Sequence, residues 1–265
     1  MCGILGLIHQ YNYPITREQF QDLNYININR GPDNHSMLDL NFLQYKLKIG
    51  HTRLSIQDLS NNANQPMKSI SERFIITFNG EIYNHLQLRS LLNNKNTIKW
   101  KSLSDTETLL NLFEFYEFSN VLNMLEGMFS FMLVDLKEKK IYFARDLAGE
   151  KPLYIHFNEN YISTSSDLNA IKKFPNFKKD INESALKNYT EYNYIPYPET
   201  IFKNTFKIPP ASFIRINFDK YKFKNFNNFD TLLADNAILF EYWWQFHNNK
   251  NDFKNISNYD AKETI

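Results

Sequence analysis

The chain has 265 residues, 43% of them apolar and 16% aromatic, enough to pack one large domain or one and a half ordinary ones. A net charge of +1 argues against a nucleic-acid or membrane surface, and the six scattered histidines lack metal-ligand spacing. The single cysteine excludes an internal disulfide framework and a thiolate zinc site and fits a reducing cytoplasm, and neither a secretory leader nor an apolar run of ~20 residues is legible.

Residues 3–9 read as a buried strand in which Ile4, Leu5, Leu7 and Ile8 surround Gly6. Cys2 stands just before it. A thiol is a weak nucleophile until it loses its proton. Trimming of Met1 would give Cys2 a free α-amine, whose ordinary pKa is about 7.7–8.0, so one residue would hold both nucleophile and base. Taken alone, Cys2 reads better as a small apolar residue opening the strand.

Thr16 caps a predicted helix that runs to about Ile28 with Phe20, Leu23, Ile26 and Ile28 inward. Arg30-Gly31-Pro32-Asp33 reads as a sharp turn. Residues 45–56 alternate as a strand through His51-Thr52-Arg53-Leu54-Ser55-Ile56. A second strand, Arg73 to Phe78, is predicted to end in a turn at Asn79-Gly80-Glu81, followed by a short helix over 83–92. Ser104 and Glu107 have capping-box spacing, and Leu109, Leu110, Phe113 and Tyr116 stripe the helix behind them. Strands follow at 128–136, 140–145, 153–157 and 161–164, then a helix at 183–192. Residues 217–230 read as a polar surface hairpin or connector. This order predicts two largely antiparallel sheets covered by helices rather than a wound parallel sheet. The seven glycines all lie at or before Gly149, each inside a motif-like segment.

Five of those segments stand in order: Cys2-Gly3-Ile4, Arg30 to Asp33, His51 to Ile56, Asn79-Gly80-Glu81-Ile82-Tyr83-Asn84, and Ser104 to Glu107. Two more, Glu126 to Phe131 and Arg145 to Tyr154, extend the set. Together they resemble the class II glutamine amidotransferase domain of asparagine synthetases, an N-terminal-nucleophile hydrolase. Arg-Gly-Pro-Asp and Arg-Leu-Ser-Ile follow the asparagine-synthetase pattern rather than that of the sugar-phosphate or purine branches. The resemblance implies an α+β fold, a four-layer αββα sandwich, and hydrolysis of L-glutamine through a thioester on Cys2, with the ammonia used to amidate aspartate.

The resemblance also assigns roles. Asn79 and Gly80 would donate to the oxyanion, and Arg53 would bind the substrate α-carboxylate, a task that suits the fork of a guanidinium. Ile56 joins the substrate-binding set, and Glu81 and Asp105 would accept from the α-ammonium. Asp105 also suits the first turn of a helix on electrostatic grounds alone. Arg30 and Asp33 are expected to brace the first strand by ion pairing, Arg145 and Asp146 to fix the turn ending at Gly149, and His51 to be packed rather than catalytic. Gln65-Pro66-Met67 matches a family loop and receives no chemistry.

The family's synthetase half uses a Ser-Gly-Gly-x-Asp-Ser nucleotide loop, which this sequence lacks. Glu241-Tyr242-Trp243-Trp244 resembles the inter-domain junction, its aromatics expected to be exposed, and Asn258 to Ile265 the opening helix of the next domain. The expected organisation is therefore an amidotransferase domain over 2–210 and a connector with a truncated synthetase start over 211–265. Glutamine hydrolysis then needs no cofactor, while ATP and Mg belong to the missing half or to a separate synthetase chain, and a homodimer is compatible with the family. Two alternatives remain: a non-catalytic glutamine-binding or docking module, and an amidotransferase for a sugar or another acceptor.

Overall fold

In a computed structural model of the chain, which describes residues 1–95 and 97–245, the organising strand is β1 (Gly3–Gln10). It is apolar on both faces because it is covered on both. It pairs antiparallel with β3 (Tyr45–Arg53) on one side and β9 (Tyr161–Ser165) on the other. Gly6 permits this: a Cβ there would sit 2.6 Å from Met132 Sδ and 2.7 Å from Thr164 Cγ2. With β2 (Asn34–Phe42), β8 (Tyr154–Phe157) and β10 (Thr205–Lys207) these strands form one six-stranded sheet, ordered β10-β8-β9-β1-β3-β2.

The second sheet contains β4 (Met67–Lys68), β5 (Phe74–Ile82), β6 (Gly127–Asp135), β7 (Lys140–Arg145), β11 (Ser212–Asn217) and β12 (Ile238–Tyr242), ordered β12-β11-β7-β6-β5-β4. All pairings between these strands are antiparallel. Between the sheets lies a core that includes Ile4, Ile8, Ile49, Ile75, Met132 and Phe143. The outer face of the first sheet buries Leu5, Leu7 and Tyr161 against α1 (Arg17–Tyr25) and α5 (Leu168–Ile171). The outer face of the second packs Ile76, Phe78 and Phe131 against α2 (His85–Lys95), α3 (Asp105–Phe115) and α4 (Phe118–Met124). The layers are thus αββα, as the family resemblance implies. Two further α-helices are α6 (Glu183–Tyr192) and α7 (Phe229–Leu233). No helix among the described residues is long and apolar enough to cross a membrane.

Several expectations change. Thr16 caps α1 in a full capping box with Gln19, but the α-helix ends at Tyr25, and a short 3-10 turn spans Ile28–Arg30. Strand β5 does not stop at Phe78; it runs on through Asn79 and Gly80 to Ile82, paired with β6 throughout. Residues 217–230 are not the polar surface hairpin or connector expected, because Phe218, Tyr221 and Phe226 are buried in the inter-sheet core. The second sheet also continues past Pro210 through β11 and β12. Of the three junction aromatics, Tyr242 and Trp244 are exposed, but Trp243 donates from Nε1 to the Arg145 carbonyl at 3.0 Å and stacks on Phe129. The resemblance noted for Asn258 to Ile265 falls outside the described residues.

Candidate active site

Strand register brings the predicted residues together. Gly3 pairs with Thr52, so Cys2 lies beside Arg53 and Leu54 at the end of β3. Its Sγ accepts from the Leu54 amide at 3.5 Å. Along β5 the residues alternate: Ile76, Phe78 and Ile82 face the helices, while Ile75 lies in the inter-sheet core and the Thr77 hydroxyl donates to the Gly50 carbonyl of β3. Asn79 and Glu81 share that second parity and face the sheet that carries Cys2. The result is an open cleft lined by Cys2, Arg53, Asn79, Gly80, Glu81 and Asp105 among others, with Ile56 at its rim. Every predicted site residue is present.

The edge of β5 carries the donors. Backbone N–H groups two residues apart point to the same edge of a strand. The Phe78 N–H donates to Gln65 Oε1 at 2.6 Å, and the Ile82 N–H to Asp105 Oδ2 at 2.9 Å. The Gly80 N–H lies between them, facing away from β6 and toward the cleft, with neither neighbour's acceptor available to it. Asn79 Nδ2 is buried and has no hydrogen-bond partner. Two adjacent donors are therefore left unspent beside a cysteine, in a structure type where buried polar groups are nearly always paired. Glycine is required at 80 by packing: a Cβ would meet the Met128 carbonyl oxygen and lie 2.7 Å from Phe129 Cα.

Arg53 is held by main chain and an amide rather than by acids. Nη1 donates to the Ser60 carbonyl at 2.9 Å and to Asn64 Oδ1 at 2.8 Å, and Nη2 donates to the Asp58 carbonyl. Of the five guanidinium N–H bonds three are engaged this way, leaving the Nε–H and one Nη2–H for an anion. Asp105 begins α3, with Ser104 as N-cap accepting from the Glu107 amide. Burial, with Glu81 nearby, raises the Asp105 pKa to about 6. The predicted capping box is only half formed, because the Glu107 carboxylate instead accepts from the Lys101 and Ser102 amides and the Ser102 hydroxyl. Burial raises the Cys2 pKa, opposed by the Leu54 amide, the terminal amine and Arg53, so the thiol needs a base to ionise.

The supporting residues partly meet expectation. Arg30 and Asp33 are not paired with each other: Arg30 Nε donates to the Cys2 carbonyl at 3.0 Å, and Asp33 Oδ2 accepts from the Ser55 amide at 2.7 Å. Arg145 donates to the carbonyls of Gly149, Lys151 and Ile208, and Asp146 accepts from three backbone amides, which fixes the turn as predicted. His51 is packed, its ring nitrogen 3.0 Å from the Phe78 carbonyl, and burial lowers its pKa to about 4. Sequence reasoning gave no role to Gln65 or Lys151, yet both line the cleft. Among the described residues no cluster of three His, Cys, Asp or Glu side chains could hold a metal ion.

Residues 1–227 match the model of the glutamine amidotransferase domain. Over its whole length the chain is 32% identical to a protein of Methanocaldococcus jannaschii named "Putative asparagine synthetase (glutamine-hydrolyzing) 2", of which it spans 49%. It is also 32% identical, over 80% of its length, to glutamine-hydrolyzing asparagine synthetase 1 of Bacillus subtilis, of which it spans 33%. The chain thus spans half or less of the length of these curated relatives. Among solved structures, the glutamine phosphoribosylpyrophosphate amidotransferase of B. subtilis superposes with a TM-score of 0.60 at 17% identity, covering 92% of this chain and 50% of that one. A structure described as the allosteric regulatory enzyme of purine biosynthesis gives 0.62 at 18% identity, covering 93% and 50%. At such identities the likeness concerns the fold.

Proposed function

The chain belongs to the glutamine amidotransferase domain family, and from that premise we propose that it hydrolyses glutamine to glutamate and ammonia with Cys2 as nucleophile. Removal of Met1 frees the Cys2 α-amine. The amine takes the thiol proton, directly or through a water, and the thiolate attacks the side-chain amide carbon. The carbonyl oxygen becomes an oxyanion that accepts from Asn79 Nδ2 and the Gly80 N–H, each such donor worth roughly 3–4 kcal/mol of barrier. The amine returns its proton to the departing nitrogen, so that the C–N bond breaks and ammonia leaves. Water then attacks the γ-glutamyl thioester, giving glutamate and the free thiol. Arg53, through its two remaining N–H bonds, binds the α-carboxylate beside Ile56, and Glu81 with Asp105 accepts from the α-ammonium.

The observation that carries this reading is the pair of unclaimed donors, Asn79 Nδ2 and the Gly80 N–H, beside Cys2. The names of the relatives support a further step: the ammonia serves ATP-dependent amidation of aspartate in a synthetase half or a separate synthetase chain. The test is glutamate release by purified protein whose intact mass shows Met1 removed. Release that vanishes in Cys2→Ala is expected. Glutamine binding without turnover would favour the non-catalytic module instead.

A further inference from the structure

Gln65 is bound at three points to three elements. Its Oε1 accepts from the Phe78 N–H at 2.6 Å, its Nε2 donates to Thr106 Oγ1 at 3.2 Å, and its carbonyl accepts from the Ser36 hydroxyl. These elements are β5, the first turn of α3, and β2. Gln65 and Thr106 are both buried and both line the cleft.

The location gives these bonds their meaning. Strand β4 covers the edge of β5 only at Ile75 and Ile76. Beyond it the edge N–H groups come in order: Phe78, Gly80, Ile82. The Gln65 carboxamide stands where the next residues of β4 would have been and satisfies Phe78. Main-chain pairing continued one step further would claim the Gly80 N–H, so the side chain ends the ladder at the point that leaves this donor free. Its other end ties the same strand to Thr106, the neighbour of Asp105. One buried amide thus joins the donor for the amide end of glutamine to the acceptor for its amino end.

We propose that Gln65 is a positioning residue: it fixes the direction of the Gly80 N–H and its separation from Asp105, and so matches the site to the length of glutamine. This rests on the glutaminase reading above. A donor displaced by a fraction of an ångström weakens the transition state more than the bound substrate, and misplacement of about 1 Å costs on the order of 100-fold.

Two substitutions test it. Gln65→Met keeps the length of the side chain and loses both bonds. Its kcat should fall about 10- to 100-fold with KM for glutamine within threefold, while Cys2 is alkylated by iodoacetamide at the wild-type rate. Gln65→Glu, when protonated, has a carbonyl acceptor and an O–H donor in the same two places. Its kcat relative to wild type should rise as pH falls, a dependence that loss of packing would not create. A Gln65→Met enzyme with wild-type kcat, an effect confined to KM, or a flat Gln65→Glu ratio would overturn the proposal. Should Gln65→Met fail to fold, the Gln65→Glu ratio decides. Should wild type itself lack turnover, the glutaminase reading fails separately, and amide exchange of Phe78 still tests the clamp. At least tenfold faster exchange of this amide in Gln65→Met than in wild type is expected, and an unchanged rate would refute the clamp.

Discussion

At neutral pH Asp105 carries its charge in a buried site, and its pKa of about 6 reflects the cost of burying that charge with Glu81 nearby. On the proposed mechanism, protonation of Asp105 below pH 6 removes the negative charge that would attract the substrate ammonium. The kcat/KM profile should therefore steepen near pH 6, below the first fall set by the Cys2 α-amine, and Asp105→Asn should remove this second step while raising KM by roughly 10- to 100-fold, as expected for a hydrogen bond to a charged group. The raised pKa also bears on stability. A folded-state pKa above the unfolded value of 3.8 makes stability rise as pH falls between about 6 and 4. Asp105→Asn should accordingly raise Tm at pH 7 while it impairs binding, a direct trade of stability for function readable by calorimetry. Asn79→Ala, by contrast, should lower kcat about 10²- to 10³-fold with little change in KM, since on the proposed mechanism its donor acts on the oxyanion. Asn79 and Asp105 could be singled out in the sequence because they stand in short motifs. The role of Gln65 was not legible: it depends on the edge of a strand thirteen residues away, and nothing local announces which amide it meets.

Among the elements, β5 is the instructive error. Asn-Gly is the strongest short signal for a hairpin turn, yet here it lies inside a paired strand. The correct reading was available from period two, because Ile76, Phe78 and Ile82 keep one parity through the supposed turn. Strand β2 was missed for a different reason: its residues are mostly half-buried at a sheet edge, so apolar patterning is weak. Strand β1 was plain, being apolar on both faces, and its glycine makes a prediction. Gly6→Ala would press a methyl group between Met132 of the other sheet and Thr164 of the neighbouring strand. Overpacking of this kind should destabilise the protein by about 1–3 kcal/mol in urea titrations, with the midpoint moving and the slope unchanged.

For the whole molecule, the buried histidines set the acid limit. His51 and His156 titrate at about 4 and about 3 because burial disfavours the imidazolium. The unfolded chain takes up these protons near pH 6.5, so stability is fully present above that value and declines as pH falls toward 3–4. Each tenfold loss of proton affinity on folding corresponds to about 1.4 kcal/mol, so the two histidines together reach several kcal/mol, a large part of an ordinary total of about 5–15 kcal/mol. Circular dichroism should show an acid transition in this window, moved to lower pH by His156→Gln. The layered architecture was legible from element order, but the part played by residues 217–228 was not, since their aromatics are scattered among lysines and asparagines and bury themselves only through long-range packing. The placement of β1 carries a last consequence, one of timing. Its second edge is closed only by β9, where Leu5 meets Ser165. A ribosome adds about 5–20 residues each second, so this strand stays half-unpaired for on the order of ten seconds of synthesis. During that interval the strand that follows Cys2 has only one of its two partner strands available, so the segment bearing the cysteine is framed on both sides only once about two thirds of the described residues have been made.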